Sequence, residues 1–193
     1  MGDNTGWTPS PEDNKLGLRD KDAINGYEAF GIAEAELFMF TLDSEVQFST
    51  QLILEIHSIA FSALYDWAGK WRTTQVTVGQ LEPPPPSQIL QLMYQFLDNL
   101  NFKIANSKVL HDHLDYLTYA HYEFVCIHPF NNGNGRTGRI LMNLAALKLG
   151  YQPLDLYHRE GDSRKIYIDA MRSADKGDFE PLQRLINEEL TTF

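Results

Sequence analysis

Apolar residues recur at steps of three and four along most of this chain, which is the spacing of one buried face of an α-helix. The first periodic segment covers residues 22–42. The second is expected over residues 45–65, with Ser44 as its N-cap. Five more segments begin near residues 88, 113, 137, 164 and 179. The pattern therefore predicts an all-α fold, a helical bundle of about seven helices.

One short segment departs from helical spacing. The stretch TTQVTVG is rich in β-branched side chains and ends at Gly79, which predicts one small β-hairpin. The proline run at residues 83–86 then forms a stiff connector to the next helix. Residues 1–20 are polar and contain Pro9 and Pro11, so we expect a polar N-terminal arm, anchored by Trp7, before a helical domain over residues 21–193.

Composition narrows the class of protein. Of the 193 residues, 43% are hydrophobic, which is enough for a core, and the net charge of −10 argues against general nucleic-acid binding. The chain has no apolar run of membrane-spanning length and no apolar signal region. Its single cysteine, Cys126, excludes an internal disulfide. We expect a cytoplasmic protein with no nucleic-acid or membrane partner.

Residues 128–139, HPFNNGNGRTGR, interrupt the helical pattern between two periodic segments. Glycine, asparagine and proline crowd the start of this stretch, so it predicts a tight loop that ends at the N-terminus of a helix. Free N–H groups and the helix dipole make such an end an anion site. Gly133 and Gly135 permit the turns that aim N–H groups inward, and Asn134 adds a side-chain donor.

Two arginines and a histidine give this loop its candidate chemistry. Arg136 and Arg139 are one helical turn apart, so both guanidinium groups can face the same side and hold a polyphosphate. His128, where the preceding helix ends, is the side chain best suited to accept a proton near neutral pH. A glycine-rich interhelical turn with surface arginines is the alternative interpretation of the same residues.

The stretch resembles the signature HPFxxGNGRxxR of Fic-domain proteins, and the resemblance extends over about residues 30–190. Most members are adenylyltransferases, which move AMP from ATP to a hydroxyl of a target protein with a divalent metal. The resemblance implies that His128 is the general base and that Phe130 is a buried anchor of the loop. It implies that the α- and β-phosphates are held by Gly133, Asn134, Gly135 and Arg136, and that Arg139 holds the γ-phosphate.

The resemblance also implies three further sites. The segment after DWAGKWR is similar to the family's flap, which pairs with an extended stretch of the target by β-augmentation. The flap residues are Thr74, Gln75, Val76, Thr77 and Val78. Tyr167 is implied to line the adenine pocket, although core packing explains it equally well. Mg²⁺ is implied to bind after the phenylalanine, where the family usually has Asp or Glu and this chain has Asn131, an uncharged ligand.

Many Fic proteins carry an inhibitory helix with the pattern Ser/Thr-x-x-x-Glu-Gly/Asn, whose glutamate pairs with the second arginine of the motif. Glu28 is the nearest candidate by position, but Ile24 precedes it, so the pattern fails. Glu188 and Glu189 fail in the same way. The favoured interpretation of Glu28 is a solvated glutamate on a helix face.

The expected function is ATP-dependent protein adenylylation of a Ser, Thr or Tyr hydroxyl, with ATP and the target protein as partners. Two alternatives stay open because Asn131 is not acidic. One is a transferase of another phosphate-bearing group or a deAMPylase, and the other is a catalytically weak module that binds a nucleotide or a partner. A regulatory protein or a homo-oligomer is compatible with either. A zinc site at His111 and His113 is rejected, because residues two apart point in different directions on a helix.

Overall fold

The computed structural model describes residues 11, 13–78, 81–156 and 162–193. These ranges contain seven α-helices, which confirms the all-α prediction. The helices are α1 (Lys21–Thr41), α2 (Thr50–Phe61), α3 (Ile89–Ala105), α4 (Leu110–Ile127), α5 (Asn134–Lys148), α6 (Asp162–Ala174) and α7 (Glu180–Glu189). The predicted anchor Trp7 and most of the polar arm lie outside the described residues.

The start of α2 was predicted too early. The helix begins at Thr50, and its N-cap is Ser49, whose Oγ accepts a hydrogen bond from the Leu52 amide at 3.1 Å. Asn101 of α3 explains the difference, because its side chain binds both the N–H and the carbonyl of Phe48 at 2.9 Å. Those two bonds hold the backbone before Ser49 in a non-helical conformation and tie it to α3.

The core lies where α4 and α5 pack together, with α3 and α7 also against α4, and α1 against α2 and α5. Two glycines allow the closest approaches. A Cβ on Gly31 of α1 would lie 2.2 Å from the carbonyl oxygen of Ala60 in α2. A Cβ on Gly138 of α5 would lie 3.1 Å from the Phe124 ring in α4. Gly31 therefore lets α1 pack closely on α2, and Gly138 lets α5 pack closely on α4.

The predicted hairpin exists only as a chain reversal. Val78 and Leu81 form one isolated antiparallel bridge, with N–H to carbonyl distances of 3.0 and 2.9 Å, and the described residues contain no regular strand. Carbonyls that a ladder would use are taken by Arg72, whose guanidinium binds Thr74 and Pro84 at 2.9 and 2.5 Å. The predicted small hairpin is therefore reduced to a single bridge, and an arginine holds the rest of the segment.

None of the helices in the described ranges combines the length and the apolar character needed to cross a membrane. Cys126 is a free cysteine, and burial raises the pKa of its thiol to about 11. The thiol is therefore protonated at neutral pH and is a poor nucleophile.

Candidate active site

The loop between α4 and α5 is set by two residues in left-handed backbone conformation. His128 is the C-cap of α4 at φ 49°, and Gly133 is the N-cap of α5 at φ 78°. Between them the fully buried Phe130 stacks on the ring of His57, with centroids 3.6 Å apart and planes 5° apart. Phe130 is therefore the buried anchor that was predicted.

Asn134 closes the loop on itself. Its Oδ1 accepts from the Phe130 amide and its Nδ2 donates to the Phe130 carbonyl, both at 2.8 Å, and the side chain is buried. These two bonds use one of the two N–H groups of Nδ2, so the role of Asn134 as a donor to an anion stays a prediction. The side chain also shapes the backbone that surrounds the site.

The N-terminus of α5 has the features of an anion site. Within the described part of the chain, no acceptor is found for the backbone N–H groups of Asn134, Gly135 and Arg136, which belong to the first helical turn. The N–H of Gly133 donates to Asn132 Oδ1 at 2.7 Å. A Cβ on Gly133 would lie 2.5 Å from the Phe61 ring, so this turn requires glycine.

Both arginines of the motif face α1. Arg136 Nη1 donates to Glu28 Oε2 at 2.6 Å, and its guanidinium lies 4.6 Å from the centre of the Phe61 ring. Arg139 lies beside Gly135, and its charge acts on Glu36 of α1, where it opposes the burial that raises the pKa of that carboxyl. The charge of Arg139 also acts on His121 of α4. That both guanidinium groups serve one phosphate chain stays a prediction.

Glu28 is not a solvated glutamate, and that interpretation was wrong. It is 7% exposed, and besides Arg136 it accepts a hydrogen bond from the Tyr65 hydroxyl at 2.9 Å. The close contact of Gly31 with α2, one turn further along α1, brings Glu28 to this position. Its partner is the first arginine of the motif, whereas the resemblance implied the second, Arg139.

His128 is arranged as a proton acceptor. Its Nδ1 lies 3.2 Å from the Val125 carbonyl, which fixes the proton on Nδ1 and leaves a lone pair on Nε2. No residue in the described ranges is bonded to that Nε2. Burial, opposed by the Val125 hydrogen bond and assisted by the charge of Arg72, lowers the pKa of His128 to about 4. The ring is therefore neutral at pH 7, with the lone pair of Nε2 available to accept a proton.

Arg72 and His57 are site residues that sequence reasoning missed. Arg72 is 2% exposed, donates through Nε to the His128 carbonyl at 2.7 Å, and through its backbone N–H to the Pro129 carbonyl at 2.9 Å. Together with its bond to the Thr74 carbonyl, these contacts join the flap to the catalytic loop. The signal was present in DWAGKWR, which places an arginine among apolar aromatic residues.

His57 of α2 joins the same two segments from the other side. Its Nδ1 accepts from the Gly69 amide at 2.9 Å, so its Nε2 carries the proton and donates to the Asn132 carbonyl at 3.1 Å. The side chain is fully buried, and burial lowers its pKa to about 4. Its position on the apolar face of α2, one residue after Ile56, was the available signal.

The candidate metal ligand lies at the flap. The Oδ1 of Asn131 is 3.4 Å from the Thr74 hydroxyl, whereas Asn132 Oδ1 binds the Gly133 amide inside the loop. Across the described residues, no three or more His, Cys, Asp or Glu side chains form a group that could hold a metal ion. His113 is hydrogen-bonded to the Tyr151 hydroxyl at 2.8 Å.

The remaining predicted residues lie around the loop. In the flap, Thr74, Gln75 and Thr77 are exposed and Val76 is 4% exposed. Tyr167 of α6 is half-buried, and its hydroxyl lies 2.8 Å from Nε2 of the buried His121, two turns before His128 on α4. The structure thus brings Tyr167 to the helix that carries His128, and its role towards a nucleotide stays a prediction.

Comparison with known proteins decides the family. The model of the Fic/DOC family matches residues 47–146, which include α2, the flap, the loop and most of α5. The chain belongs to the Fic/DOC family. Glu28 on α1 lies before the matched segment, so the family match itself does not cover the partner of Arg136.

Relatives of this Fic/DOC member are named for one activity. Protein adenylyltransferase Fic of Drosophila grimshawi is 36% identical over 147 residues, which are 76% of this chain and 29% of that protein. The chain spans 28–40% of the length of the relatives from Drosophila grimshawi, Nematostella vectensis and Drosophila willistoni.

Solved structures agree on the fold. Fic-1 from C. elegans superposes with a TM-score of 0.72 at 28% identity, covering 91% of this chain and 52% of that chain. BepC from Bartonella tribocorum, solved with AMPPNP bound, has a TM-score of 0.72 at 20% identity, and the match covers 94% of this chain and 92% of the BepC chain. The likeness to BepC shows the fold alone.

Proposed function

We propose that this Fic/DOC member is a protein adenylyltransferase that moves AMP from ATP to a Ser, Thr or Tyr hydroxyl of a target protein. The observation that carries the proposal is the tautomer of His128, whose Nε2 is a free acceptor within the loop that opens the first turn of α5. The relatives named protein adenylyltransferase Fic support the same reaction.

In the proposed transfer, the target hydroxyl oxygen attacks the α-phosphorus of ATP and gives its proton to His128 Nε2. The new bond joins that oxygen to phosphorus, the bond from the α-phosphorus to the β-bridging oxygen breaks, and pyrophosphate leaves. Because the pKa of His128 is lowered to about 4, the ring accepts the proton at neutral pH without first losing one. The amides of Gly135 and Arg136 face the charge that develops.

The phosphates are proposed to lie along the first turn of α5. Gly133 and Gly135 allow the close approach, Asn134 shapes the backbone, and Arg136 and Arg139 supply positive charge. Arg136 is paired with Glu28 in this structure, so the proposed grip on the phosphates requires that ion pair to open. Tyr167 is proposed at the adenine end.

The residues near the loop fit a magnesium ion poorly. Asn131 and Asn132 offer neutral amide oxygens, and Asn132 Oδ1 is already bonded to the Gly133 amide. We infer that any Mg²⁺ arrives with ATP and is held chiefly by the phosphates. Asn132 lies inside the loop but its Oδ1 is engaged by the Gly133 amide, whereas the Oδ1 of Asn131 faces the Thr74 hydroxyl of the flap, so either amide is a candidate to assist.

The flap is proposed to hold the target. Thr74, Gln75 and Thr77 are exposed, and apart from the Thr74 carbonyl, which Arg72 binds, their backbone groups lie outside any described ladder. An extended target segment that pairs with this edge would lie beside His128, since Arg72 binds the carbonyls of both Thr74 and His128. The cytoplasmic location stays a prediction.

Labelling with ATP radioactive at the α-phosphate tests the proposal. We expect label on the chain itself or on a protein of the host lysate, and we expect His128→Ala to abolish it. His113→Ala is the matched control, because His113 bonds Tyr151 away from the loop, and it should keep the labelling. Full labelling by His128→Ala would remove His128 as the base.

A second candidate function is favoured by the missing acid: a module that binds nucleotide with little turnover, or a transferase of a different group. Label from the γ-phosphate would indicate phosphate transfer, and label from α-labelled UTP would indicate UMP transfer. Asn131→Asp and Asn132→Asp form a matched pair for the binding module. Activity that appears only after one of these changes supports the module and identifies the metal position.

A further inference from the structure

His121 is a fully buried polar side chain that the proposed transfer does not use. It lies on α4, two turns before His128, and is 0% exposed. Burial, assisted by the charge of Arg139, lowers its pKa to about 4, so the ring is neutral at pH 7. Burying an imidazole costs free energy that an apolar side chain of the same size would not. A specific task for its two nitrogens is therefore the better explanation.

The Nε2 atom of His121 faces α6. It lies 2.8 Å from the Tyr167 hydroxyl, and the ring centroids are 5.7 Å apart with planes at 59°. Because the hydroxyl is held at His121, the phenol ring cannot swing away from α4. Tyr167 is only half-buried, so part of its ring stays accessible to a ligand.

The Nδ1 atom of the same ring faces α5. A Cβ on Gly138 would lie 3.5 Å from Nδ1, and within the described ranges the Gly138 backbone faces this nitrogen without a well-formed hydrogen bond. Arg139, which we propose for the phosphates, follows Gly138 and acts on the ring through its charge. One imidazole therefore lies between the helix proposed for the phosphates and the helix that carries Tyr167.

Helix α6 depends on side chains for its position beside α4. It packs chiefly on α7, and α7 packs in turn on α4. Hydrogen bonds from α4 reach this segment at Tyr167 and, just after the helix ends, at Asp175, whose carboxylate accepts from the Tyr122 hydroxyl at 3.2 Å. The Tyr122 bond is exposed, whereas His121 is buried, and a hydrogen bond shielded from water is the stronger constraint. His121 is therefore the residue that sets the position of Tyr167.

We propose that His121 is a positioning residue that sets the distance between the two ends of the nucleotide site. It holds the ring of Tyr167, at the base end, at a fixed separation from α5, at the phosphate end. A nucleoside triphosphate then fills both ends, whereas inorganic tripolyphosphate fills only the α5 end. The inference rests on the proposed function, which places a nucleotide here, and it adds how the site recognises a nucleoside joined to phosphates.

Calorimetry of the full chain with ATP and with inorganic tripolyphosphate tests the inference. We expect the wild type to bind ATP roughly tenfold more tightly, because stacking of a base on an aromatic ring adds affinity of this order. Asparagine cannot reach the position of Nε2, so His121→Asn should lose that advantage while its affinity for tripolyphosphate stays the same. Glutamine reaches the position with its terminal amide, so His121→Gln should stay within about threefold of the wild type for ATP.

The matched control is His113→Gln. His113 lies on the same helix and bonds a tyrosine hydroxyl in the same way, with Nδ1 2.8 Å from the hydroxyl of Tyr151. Glutamine does not reach the position of Nδ1, so a general cost of breaking a histidine–tyrosine bond would appear in this variant too. We expect its affinities for ATP and tripolyphosphate to equal those of the wild type.

A second variant removes the same bond from its other partner. Tyr167→Phe keeps the ring and loses the hydroxyl, so it tests the inference even where His121→Asn does not fold, and it should show the same selective loss. Equal losses for ATP and tripolyphosphate in these variants would overturn the inference, and so would wild-type affinities or equal behaviour of His121→Gln and His121→Asn. A wild-type chain that binds ATP no more tightly than tripolyphosphate also overturns it, whereas one that binds ATP selectively without transferring AMP contradicts the proposed function alone.

Discussion

Glu28 and Arg136 are 108 residues apart in the sequence, and their side chains form an ion pair of 2.6 Å. The carboxylate of Glu28 is held in place by the Tyr65 hydroxyl, and the guanidinium of Arg136 lies on the Phe61 ring. Because Arg136 is also the arginine that we propose for the phosphates, Glu28 competes with a bound nucleotide for the same cation. Helix α1 therefore restrains the site as well as packing on it.

Replacing Glu28 by Gln should release Arg136 for phosphate. Glutamine keeps the size of the side chain and an oxygen for the Tyr65 hydroxyl, but it loses the charge that holds the guanidinium. We expect ATP affinity to rise about tenfold, which corresponds to ~1.4 kcal/mol of competition removed. Isothermal calorimetry measures this directly, and Glu55→Gln, an exposed change on α2, is the control. Unchanged affinity in Glu28→Gln would show that the pair is structural.

The two hydrogen bonds of His57 should be separable by substitution. The substitution His57→Phe keeps a ring against Phe130 but leaves the Gly69 amide and the Asn132 carbonyl without a partner. Each unpaired buried group should lower the free energy of unfolding by about 1–3 kcal/mol. Asparagine can restore only the acceptor for Gly69, and glutamine only the donor for Asn132. If the bond from His57 to the Asn132 carbonyl governs nucleotide binding, ATP affinity measured by calorimetry should be highest in His57→Gln, intermediate in His57→Asn and lowest in His57→Phe.

Thermal unfolding of the same three variants separates stability from binding. We expect all three to be less stable than the wild type, since each loses at least one buried hydrogen bond. Equal ATP affinity among the variants that fold would contradict a role for the His57–Asn132 bond in shaping the loop.

Local features of the site could be predicted from sequence, and distant ones could not. The periods of α4 and α5 and the punctuation by Pro129, Gly133 and Gly135 specify a loop that opens a helix, because these signals act within a few residues. The partner of Arg136 lies on α1, and no spacing rule connects residues so far apart. Its position follows from the contact of Gly31 with α2, which only the packed structure shows.

Two details that the sequence did not predict share a physical cause. Asn134 was expected to donate to an anion, and the flap was expected to form a small hairpin. In both places, buried backbone groups require hydrogen-bond partners. Asn134 therefore bonds the backbone of Phe130, and Arg72 binds the carbonyls of Thr74 and Pro84. A single sequence shows which side chains can donate, but not which carbonyl will be left without a partner.

Acid should destabilise this chain through its buried histidines. Burial lowers the pKa of His57 and of His121 to about 4 from the usual 6.5, and the charge of Arg139 acts in the same direction on His121. Between about pH 4 and pH 6.5, these histidines bind protons in the unfolded chain but not in the folded chain. The free energy of unfolding should therefore be constant above about pH 7 and fall as pH drops from 6.5 towards 4, by about 1.4 kcal/mol per unit of pKa shift.

Urea unfolding across this pH window measures the effect. His121→Gln cannot take up a proton, so it should make the pH dependence shallower without removing it, because the pKa values of His57 and His128 stay lowered. The variant also loses stability at neutral pH. An equally steep dependence in His121→Gln would assign the acid sensitivity to other groups.

Gly133→Ala should damage the site more than the same change at Gly150. Both glycines have positive φ, 78° and 86°, so alanine at either position carries a similar backbone strain of roughly 1–2 kcal/mol. At Gly150 nothing lies within 4 Å of the added Cβ, whereas at Gly133 it would lie 2.5 Å from the Phe61 ring and 3.3 Å from His57 Nε2. The difference in unfolding free energy between the two variants therefore isolates the contact under the loop, and we expect about 1–3 kcal/mol. ATP binding should weaken in Gly133→Ala and persist in Gly150→Ala. Equal stability and equal binding in the two variants would show that the loop can move off Phe61 without loss.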